Sequence, residues 1–155
     1  MRINMIAMGN KMPSWVSAAY QDYAKRLTDA CALKLIEIAL KKRGKQQDLK
    51  QLRQQEGAAM LTAIPKNTHI IALDTKGHCW DTITLSQQLK TWFSLGQNIS
   101  LLIGGPEGLA PQCLEKAQQC WSLSPLTFPH PLVRVIVAEQ LYRAYSLLRG
   151  HPYHK

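Results

Sequence analysis

Three segments of the chain carry residue types and spacings suited to chemistry. Ile103-Gly-Gly-Pro-Glu-Gly-Leu109 follows an apolar run, Leu101-Leu-Ile103, and leads into a short helical segment. Glycine-rich backbone at the C-terminal end of a strand is where open α/β sheets bind their ligands. Gly104 and Gly105 allow positive φ and close approach of a ligand to bare backbone, while Pro106 fixes the turn; a plain tight turn is the alternative. The pattern is neither G-x-x-x-x-G-K-[ST] nor G-x-G-x-x-G, which counts against a nucleoside triphosphatase and a dinucleotide enzyme. The second segment, Leu123-Ser-Pro-Leu-Thr-Phe-Pro-His-Pro131, is long, proline-punctuated and largely apolar. Aliphatic side chains with free amides suit a nucleoside, although a loop covering the core has the same composition. The third is the tail, Gly150-His-Pro-Tyr-His-Lys155, where two His, a Tyr and a Lys suit stacking on a base and gripping phosphate, or simply form a frayed terminus.

Charge and cysteine usage narrow the partner class. Nineteen Lys and Arg against ten Asp and Glu give a net charge of +9, an excess that attracts polyanions. Lys41-Lys-Arg-Gly-Lys45 concentrates four cations around a glycine, with Lys11, Lys34, Lys50 and Arg53 near it in sequence. It reads either as a phosphate-contacting loop or as a solvated one. Glu139 precedes Arg143 by four residues, a favourable helical pair, and Arg134 needs a partner if its helix is buried. Cys31, Cys79, Cys113 and Cys120 show no C-x-x-C spacing, so they read as reduced thiols rather than zinc ligands. The apolar start, Met1 to Met8, is too short for a signal core, and no run approaches the roughly 18 residues of a membrane span. A cytosolic protein without membrane contact is expected.

The elements that must position these segments follow an α/β pattern, with short β-branched runs alternating with helical periodicity. Hydrophobic residues at 46% and charged residues at 19% suit one folded domain over residues 1–155. Strands are predicted at Ile3 to Met8, Leu33 to Ala39, His69 to Leu73, Ile99 to Ile103 and, shorter, Trp121 to Leu123. Helices are predicted from Ser14, as N-cap, to Leu27; from Asp48, as cap, to Ile64; from Thr84 to Leu95; briefly after Pro111; and from Pro131 to Arg149. Apolar residues circle most of the last helix, so it is buried on nearly all sides, by its own domain or a second subunit. Val137 and Leu141 are expected at a twofold interface through that helix.

Taken in order, Gly9-x-Lys-Met-Pro-x-Trp15, Lys42-Arg-Gly-Lys45, Leu73-Asp74, Leu101-Leu-Ile-Gly-Gly-Pro-Glu-Gly108, Trp121-Ser-Leu-Ser124, Leu126-Thr127, Pro129-His-Pro-Leu-Val-Arg134, Glu139-x-Leu-Tyr-Arg-Ala144 and His151-Pro-Tyr-His154 resemble the RlmH family of large-subunit rRNA pseudouridine N3-methyltransferases, from end to end. The resemblance implies the SPOUT superfamily: a single-domain α/β fold with a mostly parallel sheet and a C-terminal trefoil knot, homodimeric, using S-adenosylmethionine. Its substrate would be N3 of a pseudouridine in helix 69 of 23S rRNA within the ribosome, with no DNA expected. Carried over, Leu73, Gly104, Leu123, Ser124, Pro125, Leu126, Thr127 and Phe128 become the cofactor pocket. His130, Arg143, Tyr153 and His154 become the substrate-side set, with His130, His154 or water accepting the N3 proton and Arg143 or Arg134 stabilising the imide. A non-catalytic RNA-binding module, which needs the basic loop but not the glycine turn, and an unrelated nucleotide-dependent enzyme are the competing classes.

Overall fold

Ten elements of the computed structural model, which describes residues 1–27 and 30–155 in full, alternate strictly between strand and helix. They are β1 (Arg2–Met8), α1 (Ser14–Ala24), β2 (Ala32–Ile38), α2 (Leu49–Ala63), β3 (Thr68–Cys79), α3 (Thr82–Ser94), β4 (Asn98–Ile103), α4 (Pro111–Lys116), β5 (Gln119–Ser122) and α5 (His130–Leu148). The strands form one sheet in the order β2-β1-β4-β3-β5, and every neighbouring pair is parallel. Parallel strands need a crossover, and the helices supply it on both faces.

The two-residue period of a strand sorts the core. Ile3, Met5, Ala7, Ile71, Ile99 and Leu101 meet Leu85, Leu89 and Trp92 of α3, Tyr20 of α1, and Val137 and Leu141 of α5. Ile6, Met8, Ala72 and Leu102 point the other way, onto Met60 of α2 and Cys113 of α4. β1 and β4 are buried on both faces after their first residue, so they read as continuous apolar runs. Their few polar groups are paired: Asn4 Nδ2 donates to the Ile99 carbonyl at 3.2 Å, and the Ser100 and Thr68 hydroxyls lie 2.9 Å apart.

Several element ends differ from expectation for local reasons. Ser14 is the first helical residue of α1 rather than its cap; Pro13 occupies that position, its carbonyl accepting from Val16 N, and α1 stops at Ala24 rather than Leu27. Asp48 does cap α2, accepting from Lys50 N at 2.9 Å. Asp81 caps α3 through Thr84 N at 2.7 Å, which starts that helix at Thr82, two residues early. β5 sits two residues earlier at its start than predicted, and β3 runs on to Cys79 through an irregularity that shapes the site.

α5 packs between α1 and α3, and its circumference divides. Arg134, Val137, Ala138, Leu141, Ala144 and Tyr145 are buried within the protomer. Val137 and Leu141 are 0% exposed, so they belong to the protomer's own core and not to an intersubunit surface. Leu132, Val135, Ile136 and Leu147 lie on the outer side and are only partly covered. The tail is not frayed. Gly150 takes φ +66°, His151 N donates to the Ser146 carbonyl at 2.9 Å, and a 3-10 turn at Pro152–His154 folds back on the helix.

Candidate functional site

At the C-terminal ends of β3, β4 and β5 the chain leaves a cleft of about 710 Å³. Of the residues the resemblance assigns to a cofactor pocket, Leu73, Gly104, Leu123, Ser124, Leu126, Thr127 and Phe128 line it; Pro125, in the same loop, does not. Asp74, Thr75, Gly105, Trp121 and His130 complete its walls.

Asp74 and Thr75 reach the cleft through an irregularity in β3. Leu73 and His78 both align with Trp121 of β5, so residues 74–77 leave the ladder between them. Asp74 Oδ1 accepts from Lys76 N at 2.9 Å, closing the excursion. Gly77 lets it return: a Cβ there would lie 2.7 Å from the Cys120 carbonyl carbon. A glycine inside an otherwise strand-like run was the one sequence signal of this detour.

The glycine turn is equally constrained. A Cβ on Gly104 would lie 2.5 Å from the Gly108 carbonyl carbon and 2.6 Å from Leu109 N. The turn closes by Gly108 N donating to the Gly105 carbonyl at 2.9 Å, with Gly108 at φ +77°. Gly104→Ala must therefore open the turn. Overpacking of this kind costs about 1–3 kcal/mol, and calorimetry should find ligand affinity at the cleft reduced about tenfold or more, with the overall unfolding transition retained.

Arg43 departs from the expected phosphate role of the basic loop. Its guanidinium ion-pairs with Glu107 of the glycine turn, Nε donating to Oε1 at 3.3 Å, and also reaches buried Glu56 of α2 at 3.5 Å. Arg53 Nε donates to the Leu109 carbonyl at 3.1 Å. Two of the cations thus fasten the turn to α2, whereas Lys41, Lys42 and Lys45 are exposed and have no ion-pair partner among the described residues. Arg43→Gln should weaken ligand binding at the cleft. Serine at the three lysines should leave it unchanged and, if they meet phosphates, flatten the salt dependence of binding to a nucleic-acid probe by about 0.7–0.9 log units per lost contact. Titrations of both ligands across a salt series check the separation.

His130 stands at the edge of the cleft, beside Gly9, whose φ is +94° and whose hypothetical Cβ would lie 3.7 Å from His130 Nε2. Burial, then the Arg134 and Arg43 guanidiniums, push its imidazole below the usual histidine value. Arg134, one turn later, is 1% exposed. Its Nη2 donates to the Met8 and Gly9 carbonyls at 2.8 and 2.5 Å, and Nη1 pairs with Glu37 Oε2 at 2.7 Å. Its Nε has no partner among the described residues but is buried, so Arg134 fixes the end of β1 and turns no donor pair toward a substrate.

The other three substrate-side candidates are not brought to this cleft within the protomer. Arg143 lies ten residues beyond Val133, about 15 Å along α5. Its Nε donates to Glu139 Oε1 at 2.8 Å, and Tyr153 OH donates to the same oxygen at 3.3 Å. The Arg143 guanidinium lies over the Tyr153 ring at 5.0 Å, and Tyr142 and Tyr153 meet at 4.6 Å. Burial, then the Glu139 carboxylate, push the Tyr153 phenol up to about 12. His154 Nδ1 lies 2.8 Å from the His151 carbonyl. These residues form a second group beside the tail, which also meets Tyr23 of α1.

A family model described as "Predicted SPOUT methyltransferase" matches residues 1–154. The Ribosomal RNA large subunit methyltransferase H of Thioalkalivibrio sulfidiphilus (strain HL-EbGR7) is 57% identical over 155 residues, spanning 100% of this chain and 99% of that protein. Among solved structures, a probable methylase family protein from Haemophilus influenzae Rd KW20 aligns with a TM-score of 0.59 at 10% identity, over 99% of this chain and 70% of that one. A putative methylase family protein from Neisseria gonorrhoeae aligns at 0.51 and 10% identity, over 90% and 81%. At that identity the last two speak to the fold alone.

Proposed function

The chain belongs to the SPOUT methyltransferase family, and from that premise we propose that it methylates N3 of a pseudouridine in helix 69 of 23S rRNA. On this reading it uses S-adenosylmethionine and acts on the ribosome in the cytosol. Residues 1–155 form one methyltransferase domain, with the family's C-terminal trefoil knot, that works as a homodimer. The observation that carries the reading is the cleft at the strand ends, walled by a glycine turn and an apolar loop, in a chain 57% identical to a protein named for rRNA methylation.

The residues present fit the cofactor. The volume lies within the roughly 300–1,000 Å³ of small-molecule sites. Gly104 and Gly105 present bare backbone, and the lining is mostly apolar with a few polar groups. Trp121 Nε1, in the cleft wall, is buried without a hydrogen-bond partner among the described residues. Leu73, Leu123, Ser124, Leu126, Thr127 and Phe128 would hold the nucleoside, and Asp74 would supply a carboxylate suited to the cofactor's cationic part. When bound, S-adenosylmethionine supplies an electrophilic methyl group. What remains for the protein is placement of the base and removal of the N3 proton.

His130 is the group at the cleft best suited to accept that proton, because its depressed pKa keeps the imidazole neutral at neutral pH. Protonation of the base form lowers turnover as pH falls, so the acid limb of kcat should lie below the ordinary histidine value of about 6.5. His130→Asn should remove that limb, as a pH–rate profile would record; a limb above 6.5 would point to another acceptor. Arg134 is occupied by backbone carbonyls, which leaves Arg143 to stabilise charge developing on the imide. Arg143 reaches the reacting base only from a second protomer, whose contact would use the outer face of α5.

Calorimetry with S-adenosylmethionine, followed by methylation of ribosomes with labelled cofactor, tests the reading. Saturable binding and label in 23S rRNA are expected. No heat at saturating cofactor would turn the chain into an RNA-binding module without transferase activity.

A further inference from the structure

A second cleft, of about 440 Å³, opens between the C-terminal end of α1 and the last two turns of α5, lined by Arg26, Tyr142, Tyr145, Ser146, Arg149 and His151. It is separate from the first. Val133, which lines the first cleft, and Tyr145 are twelve residues apart on α5, about 18 Å along its axis.

Its chemistry is specific. Arg26 is held between two aromatic rings, its guanidinium carbon 5.6 Å from the Tyr23 centroid and 5.7 Å from that of Tyr142. Asp22 bonds Arg26 at 2.8 Å but also pairs with Lys25 at 2.8 Å, so one carboxylate serves two cations. Arg149, exposed at the end of α5, has no ion-pair partner among the described residues. His151 Nδ1 accepts from Tyr153 N at 3.3 Å, which puts its proton on Nε2 and leaves that nitrogen a donor. The described side chains of the cleft therefore sum to positive charge, beside tyrosine rings braced by the tail through the 4.6 Å contact of Tyr142 with Tyr153.

We propose that this cleft binds a nucleotide of the substrate RNA other than the one methylated, with its phosphate on Arg149 and Arg26 and its base against Tyr142. Guanidinium forks match phosphate oxygens in pairs, and base stacking on aromatic side chains tolerates any sequence. A surface for an acidic protein segment would need the cations but not the ring wall. The inference rests on the RNA-methyltransferase reading for the identity of its ligand, yet Arg149, the residue that tests it, has no part in the proposed transfer.

The test compares wild type with Arg149→Ala and Arg149→Lys, using a labelled oligouridylate in anisotropy titrations without cofactor, and methylation kinetics on ribosomes. Arg149→Ala should weaken oligouridylate about three- to tenfold, flatten its salt slope by about 0.7, and raise KM for RNA. kcat at saturating RNA and cofactor affinity should hold, and lysine should restore part of the loss. Oligouridylate binding lost in Arg149→Ala, with no methylation by wild type, would keep the cleft and discard the proposed function. Full methylation with unchanged oligouridylate affinity and salt slope would overturn the cleft and keep the function. Poly-glutamate binding with the same dependence on Arg149 would also overturn it, since the cleft would then be a plain anion site.

Discussion

Arg134→Met is expected to lower the stability of the protein by about 3–5 kcal/mol, most of it from two buried backbone carbonyls left without a donor. The side chain is 1% exposed and satisfies two backbone carbonyls at the end of β1. Methionine fills much of the volume but leaves both carbonyls without a donor, each worth about 1–3 kcal/mol when buried. Glu37 contributes less, because its side chain is 36% exposed and returns to water when its partner is lost. With a urea m-value of about 1–3 kcal/mol/M for a small protein, the midpoint should fall by at least about 1 M. Arg134→Lys should recover little, since an ammonium lacks the fork that reaches Met8, Gly9 and Glu37 together. A shift under 1 kcal/mol would mean that the carbonyls find other donors and that β1 is held by packing alone.

The same arginine shows where sequence reasoning stops. Arg134 and Arg143 share a helix and look alike in the sequence, but their partners lie far apart in the chain: residues 8, 9 and 37 for one, 139 and 153 for the other. β1 and β4 were legible because two-sided burial leaves a continuous apolar run, and Asp48 because a cap acts within its own turn. The glycine turn and the loop after β5 were legible as local composition. Arg43 was not, since a charge run looks the same whether it meets solvent, phosphate or a carboxylate 64 residues on. Asp74 and Thr75 depend on how β3 realigns with β5, at which Gly77 alone hints and which no local pattern fixes. On α5 an apolar circumference left open which residues face inward; packing assigned Val137 and Leu141 to the core and left Leu132 and Ile136 outside.

Removing residues 151–155 is expected to abolish methyl transfer while leaving cofactor affinity and subunit association intact. The tail docks on α5, through the Ser146 carbonyl, Glu139 and Tyr142, and meets Tyr23 of α1 through Tyr153; Tyr23, Glu139 and Tyr142 are only half-buried, so its loss uncovers little core. It does remove Tyr153 and His154 and the ring that holds Arg143. Within one protomer this group lies about 15 Å along α5 from the cleft at the strand ends, too far to touch a base placed there. A twofold contact through Leu132, Val135, Ile136 and Leu147, burying something like 1,200–2,000 Å², would carry it to the partner's cleft. Ile136→Asp should therefore yield a folded, inactive monomer, where Val137→Asp would unfold the chain. Mixed dimers separate the two arrangements. One protomer lacks residues 151–155 but keeps its cleft; the other keeps its tail but carries Gly104→Ala, and cofactor is held at a concentration that fills only the unaltered cleft. If the tail acts across the interface, the unaltered cleft is served by its partner's tail, and the mixture regains turnover that neither homodimer shows. If the tail acts on its own protomer, no cleft in the mixed dimer has both cofactor and tail, and activity stays at background, which would exclude a shared site.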